Sequence, residues 1–126
     1  MITDPESVAT ALRPLSGVRD VDVVQFPSGK ELWIVLGGPV SLDRLRKASD
    51  RFGYIVARRG SWASKLPRSL AEMIWDGVVY VITKHTHASG RQECSARIVK
   101  DLATGDTIYH VMDTDGLEIL KEYLKT

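Results

Sequence analysis

The chain has one cysteine, Cys94, in 126 residues. That excludes an internal disulfide and fits a reducing interior. No apolar run approaches the roughly 20 residues of a membrane span. The N-terminus has no basic start followed by an apolar core, so a leader for secretion is not expected. A cytoplasmic protein without membrane association is the expectation. Asn and Gln are few beside a charged fraction of 26%, a balance that leans toward a heat-adapted source. Gly37-Gly38-Pro39 lacks the Lys-Ser/Thr ending of a phosphate loop. Nothing around Cys94 marks it as a nucleophile. The formal net charge is only +1.

That small total hides an uneven distribution. Between positions 44 and 68 stand eight bases (Arg44, Arg46, Lys47, Arg51, Arg58, Arg59, Lys65 and Arg68) and one acid, Asp50, a local balance of +7. The segments on either side each come to −3. Phe52, Tyr54 and Trp62 are threaded through the basic stretch. Cationic side chains attract phosphates, and flat rings stack on unpaired bases. The alternative is a solvated helix face, because four of the eight bases fall on one predicted helix.

Periodicity orders the rest. Asp4-Pro5-Glu6 is a helix start, with Asp4 accepting from free N–H groups and Pro5 suited to the first helical position. Val8, Leu12 and Leu15 follow on one stripe. Residues 18–36 read as a hairpin turning at Pro27-Ser28-Gly29-Lys30. Pairing Phe26 with Glu31 sets Val24 against Trp33 and Asp22 against Val35. Val21, Val23, Gln25, Leu32, Ile34 and Leu36 then share a core face. Asp20, Asp22, Phe26, Glu31 and Trp33 share the other. Two aromatics on a polar face are either covered by a helix or second subunit, or form an open stacking platform; Trp33 and Phe26 buried by a partner would instead make the chain a protein-interaction module.

Ser41 caps a second helix over 41–52, with Leu42, Leu45, Ala48 and Phe52 inward and Arg44, Arg46, Lys47 and Arg51 off that stripe. Residues 54–58 form a short strand with Tyr54, Val56 and Arg58 on one face. Trp62 sits in a Gly/Ser loop over 59–65, as a lid on the core or a ring for a ligand. A helix starting near Ser64 or Ser69 ends at Gly77. A meander follows: a strand over 78–87, a turn at Ser89-Gly90-Arg91, a strand over 93–102 with Cys94, Ala96 and Ile98 on one side, and a strand over 107–112. A last helix starts at Asp115, with Glu118 as its capping-box partner. Leu117, Leu120 and Leu124 make its stripe, and Ile119 and Tyr123 widen it enough to offer a homodimer contact. The fold class is α+β: a mostly antiparallel sheet with helices on one face, in one domain.

Two chemical constellations compete with the binding reading. His85, His87, Cys94 and His110 resemble an incomplete zinc set, without standard ligand spacing. Asp20, Asp22 and Glu31 could hold a divalent metal for nuclease chemistry, although position 33 is Trp where a Lys would help. Neither commits the chain to catalysis, and no cofactor or metal is expected. Helix 41–52 has no Asn or Gln to read base edges, which favours unpaired strands over duplex.

With those residues in view the chain resembles the archaeal ThermoDBP-related single-stranded DNA-binding proteins. The likeness rests on size, an antiparallel sheet backed by helices, and the basic aromatic stretch Arg58-Arg59-Gly60-Ser61-Trp62-Ala63-Ser64-Lys65. It implies sequence-tolerant binding of single-stranded DNA or RNA, DNA favoured, without catalysis. Phosphate contacts are expected from the eight bases, and stacking from Trp62, Trp33, Phe26 and Tyr54.

Overall fold

Alternation of apolar and polar residues builds a six-stranded, fully antiparallel sheet in the computed structural model of the chain. The structure describes residues 4–27, 29–59, 79–84, 94–100 and 105–125. The helix expected near 64–77, the turn at 89–91, His85, His87, Trp62, Lys65 and Arg68 lie outside the described residues. So do the side chains of Phe26, Arg58 and Arg59.

The described strands are β1 (Val18–Phe26), β2 (Gly29–Leu36), β3 (Tyr54–Arg59), β4 (Val79–Lys84), β5 (Cys94–Lys100) and β6 (Thr107–Val111). Their order across the sheet is β1-β2-β6-β5-β4-β3. The first hairpin therefore occupies one edge. The chain crosses to the far edge at β3, and β4, β5 and β6 return until β6 pairs with β2. Three described helices, α1 (Pro5–Leu12), α2 (Leu42–Asp50) and α3 (Thr114–Lys125), cover one face. The α+β class is as expected.

The helices pack where their stripes dictate. Ala9 and Leu12 of α1, Leu45 and Ala48 of α2, and Leu117, Ile119, Leu120 and Tyr123 of α3 are buried in one cluster. The sheet contributes Val21, Leu32, Ile34, Tyr109, Ile98 and Ile82 among others. Burying such side chains contributes about 1.5–3 kcal/mol each before entropy is counted. Local signals hold at two helix starts: Asp4 and Ser41 accept from the backbone N–H three residues on, Ser7 and Arg44 respectively.

Several expectations are corrected. The hairpin is tighter by two residues: Phe26 pairs with Gly29, Val24 with Glu31 and Asp22 with Trp33. A slip of two leaves every side chain on its expected face, so Val21, Leu32, Ile34 and Leu36 are still buried. Leu15 and Phe52 leave their stripes and are 39% and 37% exposed, because both fall beyond the last helical turn. Ile119 and Tyr123 are sealed in the core and offer no dimer contact.

Cys94 does not share a face with Ala96 and Ile98. Ile82 pairs with Ala96 but Thr83 pairs with Cys94, so β5 carries one extra residue there. The bulge turns Cys94 into a second cluster on the opposite face, with Trp33, Val81, Val99 and Ile108. The bulged Ser95 is buried and donates to Asp113 at 2.9 Å, while its carbonyl accepts from Met112 N–H at 2.9 Å. Asp113 also accepts from Gly116 N–H at 2.9 Å. Asp113, and not Asp115, thus caps the last helix, and Asp115 is left to accept from the Tyr54 hydroxyl at 2.5 Å.

Candidate nucleic-acid interface

Helix α2 packs against β3, the strand that follows it in sequence and forms the far edge of the sheet. The turn between them passes through Gly53, whose φ of +74° suits glycine. The basic stretch runs through both elements: residues 44–51 on α2 and its C-terminal end, and residues 58–59 at the end of β3. The opposite edge, β1, carries Asp20 and Asp22.

The bases of α2 do different jobs. The Arg44 guanidinium donates to the Tyr123 carbonyl oxygen at 2.8 Å and lies 4.4 Å from the centre of the Tyr123 ring. Tyr123 in turn accepts, through its hydroxyl, from Ser41 N–H at 3.3 Å. Arg44 is therefore a clamp between α2 and α3. Arg51 pairs with Glu122 of α3, yet its side chain stays 67% exposed. Arg46 lies 3.5 Å from Asp43, one turn back, and is 52% exposed. Lys47 is exposed. Surface pairs of this kind stabilise by at most about 1 kcal/mol, so a phosphate can compete for these cations.

Among the described residues, the expected stacking rings do not gather here. Tyr54 is on the right strand but only 2% exposed. Burial, and then the hydrogen bond to Asp115, push its hydroxyl up to about 12. Its ring is a core contact, with Lys84 of β4 6.0 Å from its centre. Trp33 is 7% exposed. It sits on β2, four strands from β3, or roughly 19 Å at about 4.8 Å per strand. Phe26 is on β1, one strand further away. The single strip of cations and rings expected from the sequence is corrected to an edge of cations from which Trp33 and Phe26 are remote.

Two residues at the basic edge were not among the expected contacts. Phe52, assigned to the core, stands exposed beside Arg51 at the α2–β3 turn. Lys84, without distinction in sequence, is exposed and is the Cα partner of Tyr54. Only the strand register reveals the second. The first had a signal in Gly53, which ends the helix before Phe52 can complete its stripe.

On the face away from the helices, one row crosses all six strands: Asp22, Trp33, His110, Arg97, Val81 and Ala57 are successive Cα partners. The Trp33 and His110 rings meet edge-on, with centroids 5.9 Å apart and planes at 71°. Glu31 contacts His110 Nε2. Burial pushes the Cys94 thiol up from its ordinary range, against the opposing influence of Arg97. Among the described residues no group of three or more His, Cys, Asp or Glu is placed to hold a metal ion. In the proposed nuclease set, Glu31 is engaged with His110 and Asp20 accepts from Val21 N–H at 2.8 Å. Among the described helices none is long and apolar enough to cross a membrane.

No protein-family model matches the chain, and neither the curated proteins nor the solved structures contain a match.

Proposed function

We propose that the chain binds single-stranded nucleic acid, DNA favoured, without catalysing a reaction, along the edge formed by α2 and β3. The observation that supports this reading is the packing of α2 on β3 at the edge of the sheet, with Arg46, Lys47 and Arg51 exposed on the helix and at its end. Arg46, Lys47, Arg51, Arg58 and Arg59 contact phosphates, and Lys84 adds a cation from the neighbouring strand. Lys65 and Arg68 extend the same stretch in sequence. Arg44 holds α3 and contributes charge without being free to follow a strand. Phe52 takes over the stacking role that Trp33 and Tyr54 cannot perform from the interior, and Trp62 follows six residues after Val56 on the chain leaving β3. The resemblance to the ThermoDBP-related proteins points the same way and belongs to this proposal.

Fluorescence anisotropy with a labelled oligothymidine tests it. Affinity falls linearly with salt on logarithmic axes, with a slope of about 0.7 per phosphate neutralised on a single strand. Lys47→Glu combined with Arg46→Glu lowers both affinity and slope. Phe52→Ala weakens binding by about 1–3 kcal/mol at fixed salt, the value of one lost stack. Binding that ignores salt, or is untouched in the double variant, overturns the reading.

A further inference from the structure

A cavity of ≈ 480 Å³ opens on the helix side of the sheet, at the end where β2 gives way to α2 and β6 begins. Its floor is sheet: Leu36 of β2, Ile98 of β5 and Tyr80 of β4. Val40 and Leu42 wall it on the side of α2, and Asp106 borders it just before β6. Gly38, with φ +73°, turns the backbone at its rim without a side chain to fill the space. The volume is that of a small-molecule site, ample for one nucleobase. We infer that this pocket receives a guanine base of a bound single strand, with the Asp106 carboxylate accepting from the two adjacent N–H donors of that base. The inference rests on the nucleic-acid reading and adds a base preference to it.

Position, lining and charge select this ligand. Tyr80 is the direct Cα partner of Arg58, so the pocket floor begins one strand, about 4.8 Å, from β3. Leu42 is the first residue of α2, the helix that carries Arg46 and Lys47. A strand held by phosphates along that edge therefore has its bases within reach of the pocket. The walls are mainly apolar and the Tyr80 ring is half-buried, a setting for a flat heterocycle. The acidic side chain at the pocket is Asp106. It is 18% exposed and pairs with Arg19 of β1, which holds the carboxylate in place. A carboxylate has about four acceptor sites, so Arg19 and a base can be bound together. Such a group takes donors and repels acceptors. On its pairing edge guanine presents two donors side by side, N1–H and the 2-amino group. Thymine has one N–H between two carbonyls, and adenine and cytosine each set a ring acceptor beside the amino group.

Fluorescence anisotropy on the whole chain, comparing oligothymidine with the same oligomer carrying one central guanine, tests it. The guanine-containing strand binds about tenfold tighter, toward the low end of what a bidentate contact to a base edge discriminates. Hypoxanthine in place of guanine lacks the 2-amino group and loses most of that gain. Asp106→Asn abolishes the preference and leaves oligothymidine affinity as it was. That change also weakens the Arg19 pair, so Val40→Trp, which fills the pocket and keeps the carboxylate, is the second variant; it abolishes the preference too. Guanosine monophosphate at the concentration of the oligomer does not displace it. Equal affinity for the two oligomers, or a preference kept in either variant, overturns the inference while oligothymidine binding leaves the wider reading standing. Displacement by guanosine monophosphate overturns the strand as the source of the base. Failure to bind either oligomer overturns the inference and the wider reading together.

Discussion

Replacing Gly116 with alanine sets two physical effects against each other. Alanine is the better helix former by about 1 kcal/mol, and position 116 is in the first turn of α3. The added Cβ, however, would stand 2.0 Å from the Ser95 carbonyl oxygen, 2.8 Å from its carbon and 3.3 Å from Ala96 Cβ. A relaxed carbon–oxygen contact is about 3.3 Å, so the helix start must retreat from β5 by roughly 1.3 Å. Both obstacles are hard to move. Ser95 is the bulged residue of an interior strand, held by its bonds to Met112 and Asp113. Retreat also strains the bond from the fully buried Tyr109 hydroxyl to the Gly116 carbonyl, 2.6 Å long. Overpacking costs about 1–3 kcal/mol, and a buried hydroxyl that loses its acceptor costs about 1–3 kcal/mol more. After the propensity gain is subtracted, the net loss centres on about 3 kcal/mol. Urea unfolding followed by far-ultraviolet circular dichroism measures it. Tyr109→Phe is the control: it removes the hydrogen bond without the clash and costs about 1 kcal/mol. A Gly116→Ala chain as stable as the parent would show that the α3–β5 approach does not govern this position.

Two further outcomes follow from the same contacts. The Tyr54 hydroxyl is pushed up to about 12 in the folded chain from 10.0 when unfolded, so its contribution to stability is complete below pH 10.0 and is lost as pH rises through about 12. Urea midpoints measured across that range fall less steeply in Tyr54→Phe than in the parent, and an identical fall in both chains would refute the assignment. Arg44→Ala removes a cation over the Tyr123 ring and a charged hydrogen bond to its carbonyl, and lowers stability by about 1–2 kcal/mol. Lys47→Ala on the same helix changes stability by less than about 0.5 kcal/mol, which the same denaturation series reads.

The fold was legible wherever a side chain's environment depends on its near neighbours. Asp4 and Ser41 cap helices because a short oxygen-bearing side chain can reach an N–H three residues on. Val21, Leu32, Ile34 and Leu36 are inward because strand alternation has a period of two, which a two-residue error in register does not disturb. The candidate site was legible only in part. The basic stretch was evident from the residues alone. Which of its members stay free was not, because that depends on Tyr123 and Glu122, some 70 to 80 positions away along the chain. Trp33 and Tyr54 were drawn into the interior for the same reason, and Cys94 changed face through a single extra residue in β5 that no periodicity announces.

By itself, then, the sequence determined a sheet of alternating strands, amphipathic helices to cover it, and a cationic centre between acidic flanks. Those are properties of consecutive residues and their local geometry. The tertiary structure alone decided that the hairpin and β3 stand at opposite edges, that Arg44 clamps a helix while Lys47 meets solvent, and that Phe52 is exposed while Trp33 is buried. Exposure is set by what arrives from elsewhere in the chain, and the order of strands across a sheet is chosen by packing the whole of it at once.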